Sequence, residues 1–148
     1  MTFQAILNAS RIGLDTVPII YFVEQHPTYS GVVRRILQHI DASACAFASA
    51  IALTEVLVRP IQMDNSSLVA EYTALLTTSR HFQLIDVSQS IAAQAARLRA
   101  SYGLKTPDAI HIATAIAANC DIFVTNDLHL KRVTDITVVA LDDLLALS

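Results

Sequence analysis

The stretch TPDAIHIATAIAANCDIFVTND, residues 106–127, decides the fold. It opens on Thr106, Pro107 and Asp108. An N-capping hydroxyl, a proline at the first helical position and an acid in the first turn are three start signals of a helix. The helix gives way to DIFVT (121–125), a compact apolar strand followed by Asn126-Asp127. A strand without polar alternation is one buried on both faces, which is the signature of a parallel sheet covered by helices.

Working outward, the same grammar repeats. RIGLDT (11–16) reads as a first strand ending at Asp15, and VPIIYFVEQH as a helix with Pro18 in its first turn. Gly31 opens a helix over VVRRILQHI, and CAFASA (45–50) is a short apolar strand. ALTEVLVRP (52–60) is a helix halted at Pro60. SSLVAEYTALLTTS (66–79) has apolar residues at 68, 69, 72, 75 and 76, which is helical spacing. FQLIDV (82–87) alternates like a strand; Ser88 caps the helix QSIAAQAARLRASY, and Gly103 ends it. ITVVA (136–140) is the last strand and LDDLLAL the closing helix. The expected class is α/β: a three-layer α/β/α sandwich around a central, mainly parallel sheet, formed by one domain over 1–148, with 1–10 as an N-terminal extension whose role is open.

Composition agrees. The 148 residues are 53% hydrophobic and 16% charged, which excludes disorder, and three glycines and four prolines leave little room for long linkers. Mean hydropathy is +0.48, yet every apolar run is interrupted well before the ~20 residues that span a bilayer, so no membrane association is expected. The first fifteen residues lack the basic start and pure apolar core of a signal peptide. Cys45 and Cys120 sit in apolar runs without CxxC spacing and read as buried free thiols in a reducing cytoplasm.

Thirteen acids are present, and four lie in apolar surroundings: Asp15, Glu55 inside AIALTEVLV, Asp108 and Asp127. A carboxylate near a packed interior is costly unless it is paired, hydrogen-bonded or bound to a cation. Each also has an ordinary reading. Asp15 would cap the following helix, Asp108 would favour a helix dipole, Asp127 would make a turn and Glu55 would face solvent. Ligands of parallel sheets collect beyond the C-terminal strand ends, where Asp15 and Asp127 both fall. The net charge of −3 becomes +1 once these four are set aside, so a nucleic-acid substrate is compatible with the charge balance.

LDT at 14–16, Glu55 inside LTEVLVRP and the 106–127 block together resemble the PIN domains, most of all the VapC-type toxins of bacterial toxin–antitoxin pairs, over roughly 11–145. The resemblance implies an α/β/α nuclease that cuts RNA with Mg²⁺ or Mn²⁺ held by acids. By it, Asp15, Asp108 and Asp127 are the metal ligands. Glu55 orients the attacking water, and Thr16, Thr125 and Asn126 are polar supports. It further implies a cognate antitoxin partner, which can place a basic side chain in the acidic site, and a homodimer. Leu130 stands where the family often carries an aromatic; that position is one of packing, so the chemistry is left intact.

Candidate contacts to RNA are Arg11, Arg59, Lys105, Lys131 and Arg132, near the motifs in sequence. His111 follows Asp108 by three positions, on about the same helix face, and is expected in the core or behind the acids rather than as a ligand. There is no Cys/His cluster with zinc spacing, no glycine-rich phosphate loop and no Gly-x-Ser-x-Gly elbow. The competing readings are a PIN nuclease of RNA processing without an antitoxin, a catalytically silent RNA- or protein-binding module, and a receiver-like signalling domain. The last would need paired acids after the first strand and a late lysine after a strand, and neither is evident.

Overall fold

The computed structural model describes residues 3–145. Five parallel strands form one sheet in the order β3-β2-β1-β4-β5. They are β1 (Arg11–Leu14), β2 (Cys45–Ser49), β3 (Phe82–Ile85), β4 (Ile122–Thr125) and β5 (Thr137–Ala140). The chain builds outward from β1 to β3, then crosses back to lay β4 on the other side of β1. The order therefore reverses between β1 and β4, and ligands of such sheets gather beside that reversal, at the C-terminal strand ends.

Alternation along each strand divides the core. Ile12, Leu14, Ile122, Val124 and Val139 point to one face, where they meet α1 (Gln4–Asn8), α2 (Thr16–Val23), α3 (Ser30–Ser43), α4 (Ile51–Gln62), α5 (Ser66–Thr78) and α8 (Leu141–Leu145). Phe123 and Val138 point to the other, where they meet α6 (Gln89–Tyr102) and α7 (Thr106–Ala117). The result is the α/β/α sandwich. No helix among the described residues is long and apolar enough to cross a membrane.

The expected elements are present, with local differences. Ser88 Oγ accepts from Ile91 N and Gly103 adopts φ 66°, a left-handed helix end. Helix α4 passes through Pro60 to Gln62 instead of halting there. Proline removes one N–H bond near the last turn, and burial of Pro60 holds the helix together past it. The N-cap of α7 is Lys105 rather than Thr106, with no side-chain cap bond, so Pro107 occupies the first turn beside Thr106. The first ten residues contain the short helix α1, whose buried Ile6 packs on the chain's own α3. A 3-10 turn, Leu128–Arg132, follows β4, and its Leu130 is buried in the second core as a packing residue. The closing helix is described only to Leu145; its expected last two residues lie outside the described residues. Both cysteines are free thiols, half-buried rather than buried, and burial pushes the Cys120 thiol up to about 12.

Helix α7 lies close against β1 because position 13 is glycine. A Cβ there would stand 2.7 Å from Ala115 Cβ and 3.2 Å from Phe123 Cδ1. Neither neighbour is the far end of a flexible chain, so Gly13→Ala must push α7 away from the sheet. Overpacking of this kind costs about 1–3 kcal/mol. For a domain of this size that is a fall in Tm of roughly 2–4 °C per kcal/mol, readable by calorimetry; an unchanged Tm would show that α7 does not rest on Gly13.

Candidate active site

The sheet register brings the acids together. Leu14 pairs with Val124, and Asp15 N donates to Val124 O (2.9 Å), so Asp15 leaves β1 beside Thr125 at the end of β4. Asp15 is 8% exposed and caps α2: its Oδ1 accepts from Thr16 N (2.8 Å) and its Oδ2 from Thr125 Oγ1 (2.8 Å). Thr125 Oγ1 in turn accepts from Asp127 N (3.1 Å). One hydroxyl thus ties the first acid to the backbone of the fourth. Asp127 opens the 3-10 turn, with its Oδ1 accepting from His129 N (2.9 Å). The ordinary roles of cap and turn are real for both aspartates. They fix the carboxylates in place without using all of their acceptor sites, since each oxygen has two.

Glu55 reaches the same place from the second turn of α4. Its Oε1 accepts from Thr16 Oγ1 (2.7 Å) and stands 2.5 Å from His111 Nε2. His111 is 2% exposed, and its Nε2 is also 3.2 Å from Thr16 Oγ1 and 3.9 Å from Asp15 Oδ1. Asp108 sits one helical turn before His111 on α7, half-buried.

The charges of the four acids act on one another. Burial and the nearby Asp15 and Asp127 carboxylates, with Glu55 adding less, hold the Asp108 carboxyl above its ordinary value against the pull of His111. The hydrogen bond from His111 holds Glu55 below the usual carboxylate range, against burial and with help from Thr16. Burial opposes charge on His111, but the bond to Glu55 and the carboxylates of Asp15, Glu55 and Asp108 outweigh it and raise its pKa.

Among the described residues, none of the four acids has a Lys or Arg ion partner; His111 is the one basic side chain at ion-pair distance. No group of three or more of the described His, Cys, Asp and Glu side chains is placed to hold a metal ion by itself. A hard divalent cation does not need one, because Mg²⁺ binds through one or two carboxylates and keeps several waters. Uncompensated oxygen donors on three separate elements suit such an ion.

The polar supports divide. Thr16 and Thr125 hold the acids, whereas Asn126 turns away: its Nδ2 points to Tyr21 OH at 3.4 Å, and its Oδ1 is buried with no partner. The basic candidates divide too. Arg59 lies one turn beyond Glu55 on α4, Lys105 precedes α7, and Arg132 is in the 3-10 turn; all three are exposed. Lys131 is held by Asp143. Arg11 does not belong with them, because it begins β1, at the N-terminal end of the strands, opposite the acids. There its Nε and Nη2 donate to Ala118 O (2.9 and 2.7 Å) and its guanidinium covers Phe47 at 4.4 Å. It caps the C-terminal end of α7, where a cation is favoured. His111 was legible only by its spacing from Asp108; its bond to Glu55, distant in sequence, was not.

No curated protein matches the chain. Among solved structures, VapBC2 from Rickettsia felis bound to a promoter DNA fragment matches with TM-score 0.69 at 19% identity, over 88% of this chain and 98% of that one. A toxin–antitoxin complex from Klebsiella pneumoniae matches with TM-score 0.64 at 25% identity, over 89% and 98%. VapC20 of Mycobacterium tuberculosis, a sarcin–ricin loop cleaving toxin, matches with TM-score 0.64 at 14% identity, over 86% and 99%. The PIN domain model matches residues 12–136, a span that runs from β1 through β4 and takes in Asp15, Glu55, Asp108 and Asp127, and the chain belongs to the PIN domain family.

Proposed function

We propose that this chain is an endoribonuclease dependent on Mg²⁺ or Mn²⁺ and the toxin of a toxin–antitoxin pair. The observation that carries the reading is the meeting of Asp15, Glu55, Asp108 and Asp127 at the strand-order reversal of a PIN domain, with no Lys or Arg to neutralise them among the described residues. Similarity to a toxin that cleaves the sarcin–ricin loop and to VapBC complexes supports RNA as substrate and an antitoxin as partner.

Asp15, Asp108 and Asp127 would hold the cation. When bound, it neutralises charge on the scissile phosphate and lowers the pKa of a water. The chain's own part is to position. Asp15 is fixed through both oxygens, Thr125 keeps Asp127 in register with it, and Glu55 orients the attacking water. Exposed Arg59, Lys105 and Arg132 would meet backbone phosphates, which position a strand without reading its sequence. For the antitoxin, a cleft of about 290 Å³, with Phe22, Leu37, Leu75 and Phe82 beside the charged Arg34 and Asp41, offers a seat. For a second copy of this chain, Val58, Ile61 and Met63 stand exposed along the end of α4.

The test is cleavage of a panel of structured RNAs with Mg²⁺, with Mn²⁺ and with EDTA. Cuts at defined positions that appear with metal and vanish in EDTA are expected. Cleavage equally strong in EDTA, or RNA bound tightly and never cut, would end this reading.

A further inference from the structure

Glu55 is one residue of the site with no backbone bond to hold its carboxylate among the described residues: it hangs from the second turn of α4, its side chain about a third exposed. Two groups meet its Oε1 instead, Thr16 Oγ1 at 2.7 Å and His111 Nε2 at 2.5 Å. The His111 contact is the shorter and comes from the buried face of α7. We infer that His111 is a positioning residue, which donates its Nε2–H to Glu55 and so sets the direction in which the remaining Glu55 oxygen faces the substrate.

The proton assignment follows from the surroundings. A bare Nε2 would set its lone pair against a carboxylate oxygen at 2.5 Å, and the proton would then sit on Nδ1. That atom is buried without any partner, and a buried N–H donor left unmade costs the full desolvation of the group. With the proton on Nε2, the orphaned atom is an unpaired acceptor rather than an unpaired donor, and Glu55 gains a charge-assisted bond. The same N–H lies 3.2 Å from Thr16 Oγ1, whose own proton goes to Glu55. Oε1 is thereby occupied twice, and Oε2 is left for a water.

This inference rests on the nuclease reading above for its consequence, but not for its geometry. Its expected effect is that of a partner behind a catalytic group, about 10–100-fold in activity. His111→Leu removes the donor and keeps an apolar filling for the core. It should lower kcat by that factor with KM changed by less than about twofold, while His111→Gln, which still carries an N–H₂ donor, should recover most of the loss. In a Glu55→Ala background, adding His111→Leu should cost less than about twofold, because a residue that acts through another has nothing left to act on. A full additional loss in that background would mean that His111 merely supports the fold, and would overturn the proposal.

The second readout needs no activity. Histidine ring ¹⁵N spectra of the metal-free protein should show His111 protonated at Nε2, with an N–H whose protection from exchange is lost in Glu55→Ala. A proton on Nδ1 with a bare Nε2 would overturn the proposal, whether or not an RNA substrate has been found. If the wild type cuts no RNA while the ring proton sits on Nε2 and answers to Glu55, the nuclease reading fails and the positioning of Glu55 by His111 stands.

Discussion

Replacing Asp15 by Asn should abolish metal-dependent RNA cleavage, by roughly 10³-fold or more, and leave the fold in place. The size follows from what the carboxylate is asked to do. A metal contributes several kcal/mol of charge stabilisation in the transition state, and losing about 4 kcal/mol of it is roughly 10³-fold in rate. The fold should survive because asparagine is as good an N-cap as aspartate. The Asn carbonyl oxygen can still accept from Thr16 N, the bond that starts α2. What changes is the other oxygen, which accepts from Thr125 Oγ1. An amide placed there donates instead, so Thr125 must give up its present proton direction while keeping its bond from Asp127 N. The cost should be about 1 kcal/mol, the net worth of one hydrogen bond. Single-turnover cleavage beside a melting curve checks both halves. Activity within about tenfold of wild type, tenfold being only about 1.4 kcal/mol, would remove Asp15 from the metal site. A chain that no longer melts cooperatively would show that the cap, not the chemistry, was lost.

The same residues explain what could and could not be read in advance. The strands were legible because a strand covered on both faces must be apolar throughout, and IFVT and TVVA have nowhere else to go. The four acids were legible because charge in apolar surroundings is conspicuous, even though Asp15 and Asp127 also do the ordinary work of cap and turn. Contacts that depend on a partner far along the chain were not legible. Arg11 stands four residues before Asp15 in sequence, but a strand rises about 3.3 Å per residue, so the two lie at opposite ends of β1. Asn126 adjoins Asp127, but the bend after β4 sends its side chain toward Tyr21. Helix α1 has five residues and no side-chain cap, so neither periodicity nor an end signal marks it; it exists because Ile6 fills a gap over α3. Pro60 reads as a stop only if the backbone bond it removes outweighs the burial it gains, and in α4 it does not.

Divalent metal should stabilise the protein strongly, and the Asp108→Asn variant should reveal why. A ligand that binds only the native state adds about 2.7 kcal/mol at 100 times its Kd, which for this size of domain is roughly 5–11 °C in Tm. Without metal, His111 is the sole basic side chain at ion-pair distance from any of the four carboxylates among the described residues. The consequence falls on Asp108. Burial, then repulsion from Asp15 and Asp127, raises its folded-state pKa above the ordinary 3.8. A carboxyl whose pKa is higher in the folded than in the unfolded chain binds more protons when folded. Its ionised form therefore penalises the native state at neutral pH, and the penalty is relieved as pH falls through the raised pKa toward 3.8. In EDTA at pH 7, Asp108→Asn should thus melt above the wild type, with a gap that narrows as the solution is acidified. In Mg²⁺ the order should reverse, since the variant gains less from a cation it can no longer fully hold. Melting curves of both proteins, in EDTA and in saturating Mg²⁺, at pH 7 and near pH 4, contain the whole argument. A wild type whose Tm ignores Mg²⁺ would remove the shared metal site. A variant less stable than wild type in EDTA at pH 7 would show that ionised Asp108 is compensated within the protein, and that the acids are not held apart from neutrality for a metal to find.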